Sequence, residues 1–178
     1  SKWSFARAME QVSRRRFISL AGTAIGVAPL YIWIGGPGMV SITMSDSEFP
    51  IKKLDDEWQE SLSPEQYRVL RKHGTEPPFT SALDQEKRAG TFTCAGCGQA
   101  LFQMETKFDS RTGWPSFYQP LDDAVGTSTD RAWFAVRTEV HCSRCGGHLG
   151  HVFEDGPPPT GLRYCMNGVA MKFIAGST

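Results

Sequence analysis

The chain has 178 residues, 40% of them hydrophobic, with 19 basic and 19 acidic side chains, which suits one globular domain and a leader. The charge is unevenly spread: residues 1–45 hold five Lys/Arg and one acid, leaving 14 basic and 18 acidic residues, a formal charge of −4, in 46–178. A mildly acidic domain is a poor electrostatic match for phosphates, so nucleic acid is excluded as the expected partner.

Residues 1–45 read as a leader and linker. Ser13-Arg14-Arg15-Arg16-Phe17-Ile18 opens a stretch without a charged residue until Asp46. Its apolar part, Phe17 to Ile34, would reach roughly 27 Å as a helix, close to a bilayer core. A basic region ahead of a moderately apolar one has the layout of a secretory signal. It resembles a twin-arginine export signal, with a plain membrane anchor as the alternative. Either reading brings the leader to the membrane during export and puts the domain in the periplasm or on the outer face of the inner membrane. No clean Ala-x-Ala cleavage site follows.

Gly35-Gly36-Pro37-Gly38 breaks any helix, and residues 35–62 read as linker and approach segment. Ser63-Pro64-Glu65-Gln66 starts a helix, with Ser63 as N-cap and Gln66 closing a capping box. Tyr67, Leu70 and Val69 give that helix an apolar edge, and Gly74 ends it. From Thr91 onward the pattern is of short strands: Thr91–Thr93, Ala100–Phe102, Trp133–Val140, Val152–Phe153, Leu162–Met166 and Val169–Ile174, separated by Gly-, Pro- and Asp-containing turns.

Four of the five cysteines form two Cys-x-x-Cys knuckles, Cys94/Cys97 and Cys142/Cys145, each followed by glycine. Four thiolates in a tetrahedral array suit one structural zinc. Redox-active pairs and an iron site are the alternatives. Cys165 is the thiol left over, in Arg163-Tyr164-Cys165-Met166-Asn167. On a strand, Arg163, Cys165 and Asn167 share a face, and a neighbouring cation favours thiolate, the reactive form. The competing reading is a buried cysteine that packs as a small hydrophobe.

His148-Leu149-Gly150-His151-Val152-Phe153 follows the second knuckle. Two histidines three apart on a flat strand point to opposite faces, unless a bulge at Gly150 brings both round. They are candidate proton carriers, with metal ligation or surface exposure as the plainer reading. Gly113-Trp114-Pro115-Ser116-Phe117 belongs to an aromatic turn that either fills the core or lines a pocket for an apolar group.

Gly74-Thr75-Glu76-Pro77-Pro78-Phe79, both knuckles, Gly113–Phe117, His148-x-x-His151-Val152-Phe153-x-Asp155-Gly156 and Arg163–Asn167 together resemble the B-type methionine-R-sulfoxide reductases, in that family's order, over about residues 62–174. The resemblance implies a mainly β fold of two antiparallel sheets with short N-terminal helices and zinc knuckles at one end, in a domain spanning 46–178. It implies thiol-dependent reduction of methionine-R-sulfoxide, free or in proteins, through a sulfenic acid on Cys165. His148 and His151 would carry the proton, Arg163, Asp155 and Asn167 would order the network, and Trp114 and Phe153 would hold the methyl group. One structural zinc, no organic cofactor, and a thioredoxin-like or small thiol reductant complete the expectation. Where many members carry a second cysteine before the Gly-Trp-Pro-Ser-Phe glycine, this chain has Thr112. The rivals are a zinc-ribbon-like binding module without catalysis, and a thiol-based metal chaperone.

Overall fold

A computed structural model of the protein describes residues 49–131 and 136–176. The leader and its junction at residues 45/46 lie outside the described residues, as do residues 133–135 of the expected strand Trp133–Val140. No helix among the described residues is long and apolar enough to cross a membrane.

Among the described residues, two short helices come first. Helix α1, Asp55–Ser61, occupies part of the stretch read as linker. Three acids in its first turn complement the helix dipole, and Glu57 Oε2 accepts the Leu54 N–H at 2.7 Å. Its one buried residue is Trp58, too little apolar pattern to reveal a helix in the sequence. Helix α2, Pro64–Lys72, has the expected capping box: Ser63 Oγ accepts the Gln66 N–H at 3.2 Å, and Gln66 Oε1 accepts the Ser63 N–H at 3.1 Å. Its end differs by one residue. His73 takes the left-handed conformation (φ 53°), and the Gly74 N–H donates to the Arg68 carbonyl at 2.9 Å. Glycine is needed at 74 for space, since a Cβ there would sit 2.8 Å from that carbonyl oxygen.

Nine strands follow among the described residues: β1 Gly90–Cys94, β2 Ala100–Gln103, β3 Lys107–Phe108, β4 Ser116–Phe117, β5 Val125–Asp130, β6 Arg137–Cys142, β7 His148–Phe153, β8 Arg163–Met166 and β9 Met171–Ala175. They form two antiparallel sheets, ordered β2-β1-β9 and β3-β4-β8-β7-β6-β5. The fold is mainly β, as expected. Strand β9 starts later than the sequence suggests, because Gly168–Ala170 form a 3-10 turn. Strand β5 carries Gly, Thr, Ser and Asp rather than alternating hydrophobes, and as an edge strand needs no buried face.

An aromatic core joins the sheets. Phe102 stacks on Phe117 with ring centroids 4.3 Å apart, and Phe92 meets Phe117 edge-on at 4.9 Å. All three rings are fully buried. The second sheet places β8 between β4 and β7, so the strand carrying Cys165 is interior and fixed on both sides.

Candidate active site

The four knuckle cysteines converge. Their ligand atoms all lie within 4.8 Å of one another, with Sγ–Sγ distances of 3.7 Å for Cys94–Cys145 and 3.5 Å for Cys97–Cys142. Sulfurs about 2.3 Å from a zinc ion form a tetrahedron with edges of about 3.8 Å, so the array fits one four-coordinate metal. Gly98 and Gly146 have φ of 75° and 66°, which lets each turn fold back so that its N–H reaches the carbonyl of the first cysteine of its pair, at 2.8 and 2.9 Å. Helices α1 and α2 cover the knuckles: a Cβ at Gly96 would touch Trp58 and Leu70, and one at Gly147 would lie 2.9 Å from Leu70. None of the four cysteines lines the cleft beside Cys165.

Cys165 sits opposite Ser116 of β4 on one side and His151 of β7 on the other. Its Sγ is 4.0 Å from Thr112 Oγ1. Ser110 Oγ ties this hydroxyl group together, 2.8 Å from Thr112 Oγ1 and 2.7 Å from Ser116 Oγ. Burial pushes the Cys165 thiol up; the Arg163 guanidinium and the Thr112 and Ser116 hydroxyls pull it down without overcoming burial. The flanking cation therefore acts in the expected direction, but burial outweighs it. Arg163 is held by Asp155, at 2.8 and 2.9 Å, and lies 4.4 Å above the Phe153 ring. Asp155 thus sits exposed at the rim, tied to the site by its ion pair with Arg163.

A cleft of about 120 Å³ opens at Cys165, walled by Trp114, Phe153, His151, Arg137 and Asn167. It is small beside ligand pockets of ~300–1,000 Å³ and suits the tip of a side chain. Asn167 is not on an outward face with Arg163 and Cys165, as the strand pattern suggests. It lies past the end of β8 and is buried, its Oδ1 accepting the Glu76 N–H at 2.9 Å and its Nδ2 donating to the Leu149 carbonyl at 3.0 Å.

Both histidines reach one face through a bulge. In the β6–β7 register Val140 pairs with Gly150 and His141 with His148, so Leu149 is the extra residue. The His148 and His151 rings meet at 5.4 Å. Gly150 matters for a second reason: a Cβ there would lie 2.1 Å from the Cys165 carbonyl oxygen. Each histidine has a carboxylate partner. His148 Nδ1 is 2.6 Å from Glu139 Oε1, and His151 Nε2 is 2.8 Å from Asp130 Oδ2, which also accepts from Arg137 at 2.8 Å. Burial lowers the His151 pKa and Asp130 only partly offsets it, which favours a neutral imidazole donating to that carboxylate. Burial alone would raise the Glu139 carboxyl, but hydrogen bonds from His148 and Ser128 and the nearby imidazoles pull it down to about 2.

Glu76, Asp130, Arg137 and Glu139 are site residues that sequence reasoning missed. Glu76 stands inside a motif quoted for the resemblance, which is the signal that could have found it. The other three acquire their roles only through the pairing of β5, β6 and β7. Glu76 fastens the floor of the site: its carboxylate accepts the Gly168 and Val169 N–H groups at 2.6 and 2.9 Å, and its carbonyl accepts the Trp114 indole N–H at 3.1 Å.

Glu139 has a folded pKa depressed below its ordinary value near 4.5, so its contribution to stability is present above that value and lost as pH falls toward about 2. Glu139→Gln should flatten the stability–pH curve between about pH 4.5 and 2, measured by urea unfolding across that range; an unchanged acid limb would refute the assignment. Cys94→Ser should lose the metal and much of the stability together, since structural metal sites contribute on the order of 10 kcal/mol to folding. Metal content by atomic spectroscopy and a thermal melt check this.

A family model described as the SelR domain matches residues 62–175. A protein from Leptospira interrogans named peptide methionine sulfoxide reductase MsrB is 53% identical over 126 residues, covering 70% of this chain and 96% of that protein. Proteins of the same name from Methanosarcina barkeri and Agrobacterium fabrum are 56% identical over 124 residues and 52% identical over 132 residues. These matches cover 69% of this chain and 87% of the first protein, and 73% of this chain and 98% of the second. With its cleft, its lone thiol and its four-cysteine cluster inside the matched region, the chain belongs to the SelR-domain family of methionine sulfoxide reductases, the MsrB proteins.

Proposed function

We propose that the chain is a peptide-methionine (R)-S-oxide reductase in which Cys165 is the nucleophile. The observation that carries this reading is the position of Cys165: paired across the strand with His151 and opening on a small cleft between Trp114 and Phe153. A methyl sulfoxide fits such a cleft by its apolar end, with sulfur toward the thiol. The Cys165 sulfur attacks the substrate sulfur, forming an S–S bond as the substrate oxygen takes up the thiol proton; that oxygen then passes to the Cys165 sulfur as the S–S bond and the substrate S–O bond break, leaving a sulfenic acid on Cys165 and releasing methionine. His148 and His151 carry that proton between sulfur and oxygen. Burial raises the Cys165 pKa, and Arg163, Thr112 and Ser116 oppose that shift. Arg163, oriented by Asp155, stabilises the negative charge that develops on sulfur.

The four cysteines hold one zinc ion, whose contribution is to fix the knuckles. With them committed to metal, an outside thiol, thioredoxin-like or small, resolves the sulfenic acid: it forms a mixed disulfide with Cys165 and releases water, and a second thiol then restores Cys165. For the leader, the Arg14-Arg15 motif supports twin-arginine export to the periplasm or the outer face of the inner membrane. No observation favours the binding-module reading.

Cys165→Ser should abolish reduction of methionine-R-sulfoxide with dithiothreitol while metal content stays unchanged. His148→Ala and His151→Ala should each slow it roughly 10²-fold. Activity retained in Cys165→Ser would end the proposal. Thr112→Cys should form an internal disulfide with Cys165 after one turnover without reductant, since their side chains already touch at 4.0 Å; wild type should yield a trappable sulfenic acid instead. Mass spectrometry separates these products, and a disulfide from Cys165 to a knuckle cysteine would contradict the outside-thiol route. Arg14→Lys with Arg15→Lys should keep the protein inside the cell, read by fractionation; continued export would make the leader an ordinary anchor.

A further inference from the structure

Three ligand-type side chains outside the four-cysteine cluster also converge: His73 at the end of α2, Glu139 of β6 and His148 of β7. Their ligand atoms lie within 4.8 Å of one another. One carboxylate oxygen, Glu139 Oε1, stands 2.8 Å from His73 Nδ1 and 2.6 Å from His148 Nδ1. The other, Oε2, is fixed by the Ser128 hydroxyl at 2.7 Å, the kind of outer hydrogen bond that orients a metal-binding carboxylate. The side chains grade from solvent to interior, 65% exposed at His73, 12% at Glu139 and 2% at His148. His148 Nε2 is buried with no hydrogen-bond partner among the described residues. His73 and Glu139 also line an open cleft of about 390 Å³, which gives an ion a way in.

Ligands about 2.0–2.1 Å from a metal sit roughly 3.0–3.4 Å from each other, so widening the 2.6 and 2.8 Å contacts by roughly half an ångström would bring this hydrogen-bonded trio to coordination spacing. Two imidazoles and one carboxylate, with remaining positions open to water, suit a zinc-class divalent ion better than magnesium or calcium. The charges facing it are mixed: Asp130 favours a cation, and Arg131 and Arg137 of the same cleft oppose one. That balance suits a site filled when the ion is plentiful.

We propose that His73, Glu139 and His148 form a second, regulatory metal site that takes a zinc-class divalent ion and slows the reductase by withdrawing His148. The binding half stands on the geometry alone; the inhibitory half rests on the proton-carrying role assigned to His148 above.

Binding is tested on the zinc-loaded Cys165→Ser protein, so that the active-site thiol cannot act as a ligand. Equilibrium dialysis against free Zn²⁺ should raise the content from one to two zinc ions per chain. His73→Asn, which tolerates the left-handed backbone at that position, should weaken the second ion at least tenfold and leave the first in place. Content fixed at one, or a second ion indifferent to both His73→Asn and Glu139→Gln, overturns the site. Inhibition is tested on the wild type in a single turnover without reductant, where added zinc should slow sulfenic acid formation at least tenfold and His73→Asn should remove the effect. A bound second ion with no slowing would overturn the regulatory half while leaving Cys165 as nucleophile untouched.

Discussion

The carboxylate of Glu76 is buried between the segment that precedes the first sheet and the turn that follows the strand of Cys165. Burying such a group costs several kcal/mol unless hydrogen bonds replace its water. Here two backbone N–H groups do so, yet burial still holds its pKa above the ordinary value. The same residue fixes Asn167 through its N–H and Trp114 through its carbonyl. One amino acid therefore sets the depth of the cleft, the tilt of its aromatic wall and the path of the chain leaving β8. Phe79 adds a second tie, its N–H donating to the Gly113 carbonyl at 2.7 Å, so the Gly74–Phe79 and Gly113–Phe117 segments are held as one unit.

The chemistry rests on a face where charge is deliberately paired. Each histidine meets its own carboxylate, and the bulge at Leu149 lets two residues three apart share that face. Burial shifts both the His151 imidazole and the Cys165 thiol toward their uncharged forms.

Local chemistry explains which parts could be read from the chain. The α2 capping box uses residues three apart, and its hydrogen bonds appear where the sequence puts them. The knuckles are equally local: two cysteines and a positive-φ glycine within five residues form a turn by themselves. Helix α1 and strand β5 escaped because their contacts are made with other parts of the chain. Trp58 is the one buried residue of the first, and the second is an edge strand whose residues are mostly polar.

From the sequence alone came the mainly β architecture, the two metal-type knuckles, the candidate role of Cys165 and the family order of the motifs, since residue type and short spacing determine these. Tertiary structure decided the rest. Strand register put Ser116 and His151 on either side of Cys165, and brought Asp130 and Glu139, nine or more residues from either histidine, within hydrogen-bond reach of them. Burial raises the Cys165 pKa against the pull of a cation whose effect pattern alone would leave unopposed. Desolvation is a property of the packed interior, set by every neighbour at once, and no short window of sequence contains it.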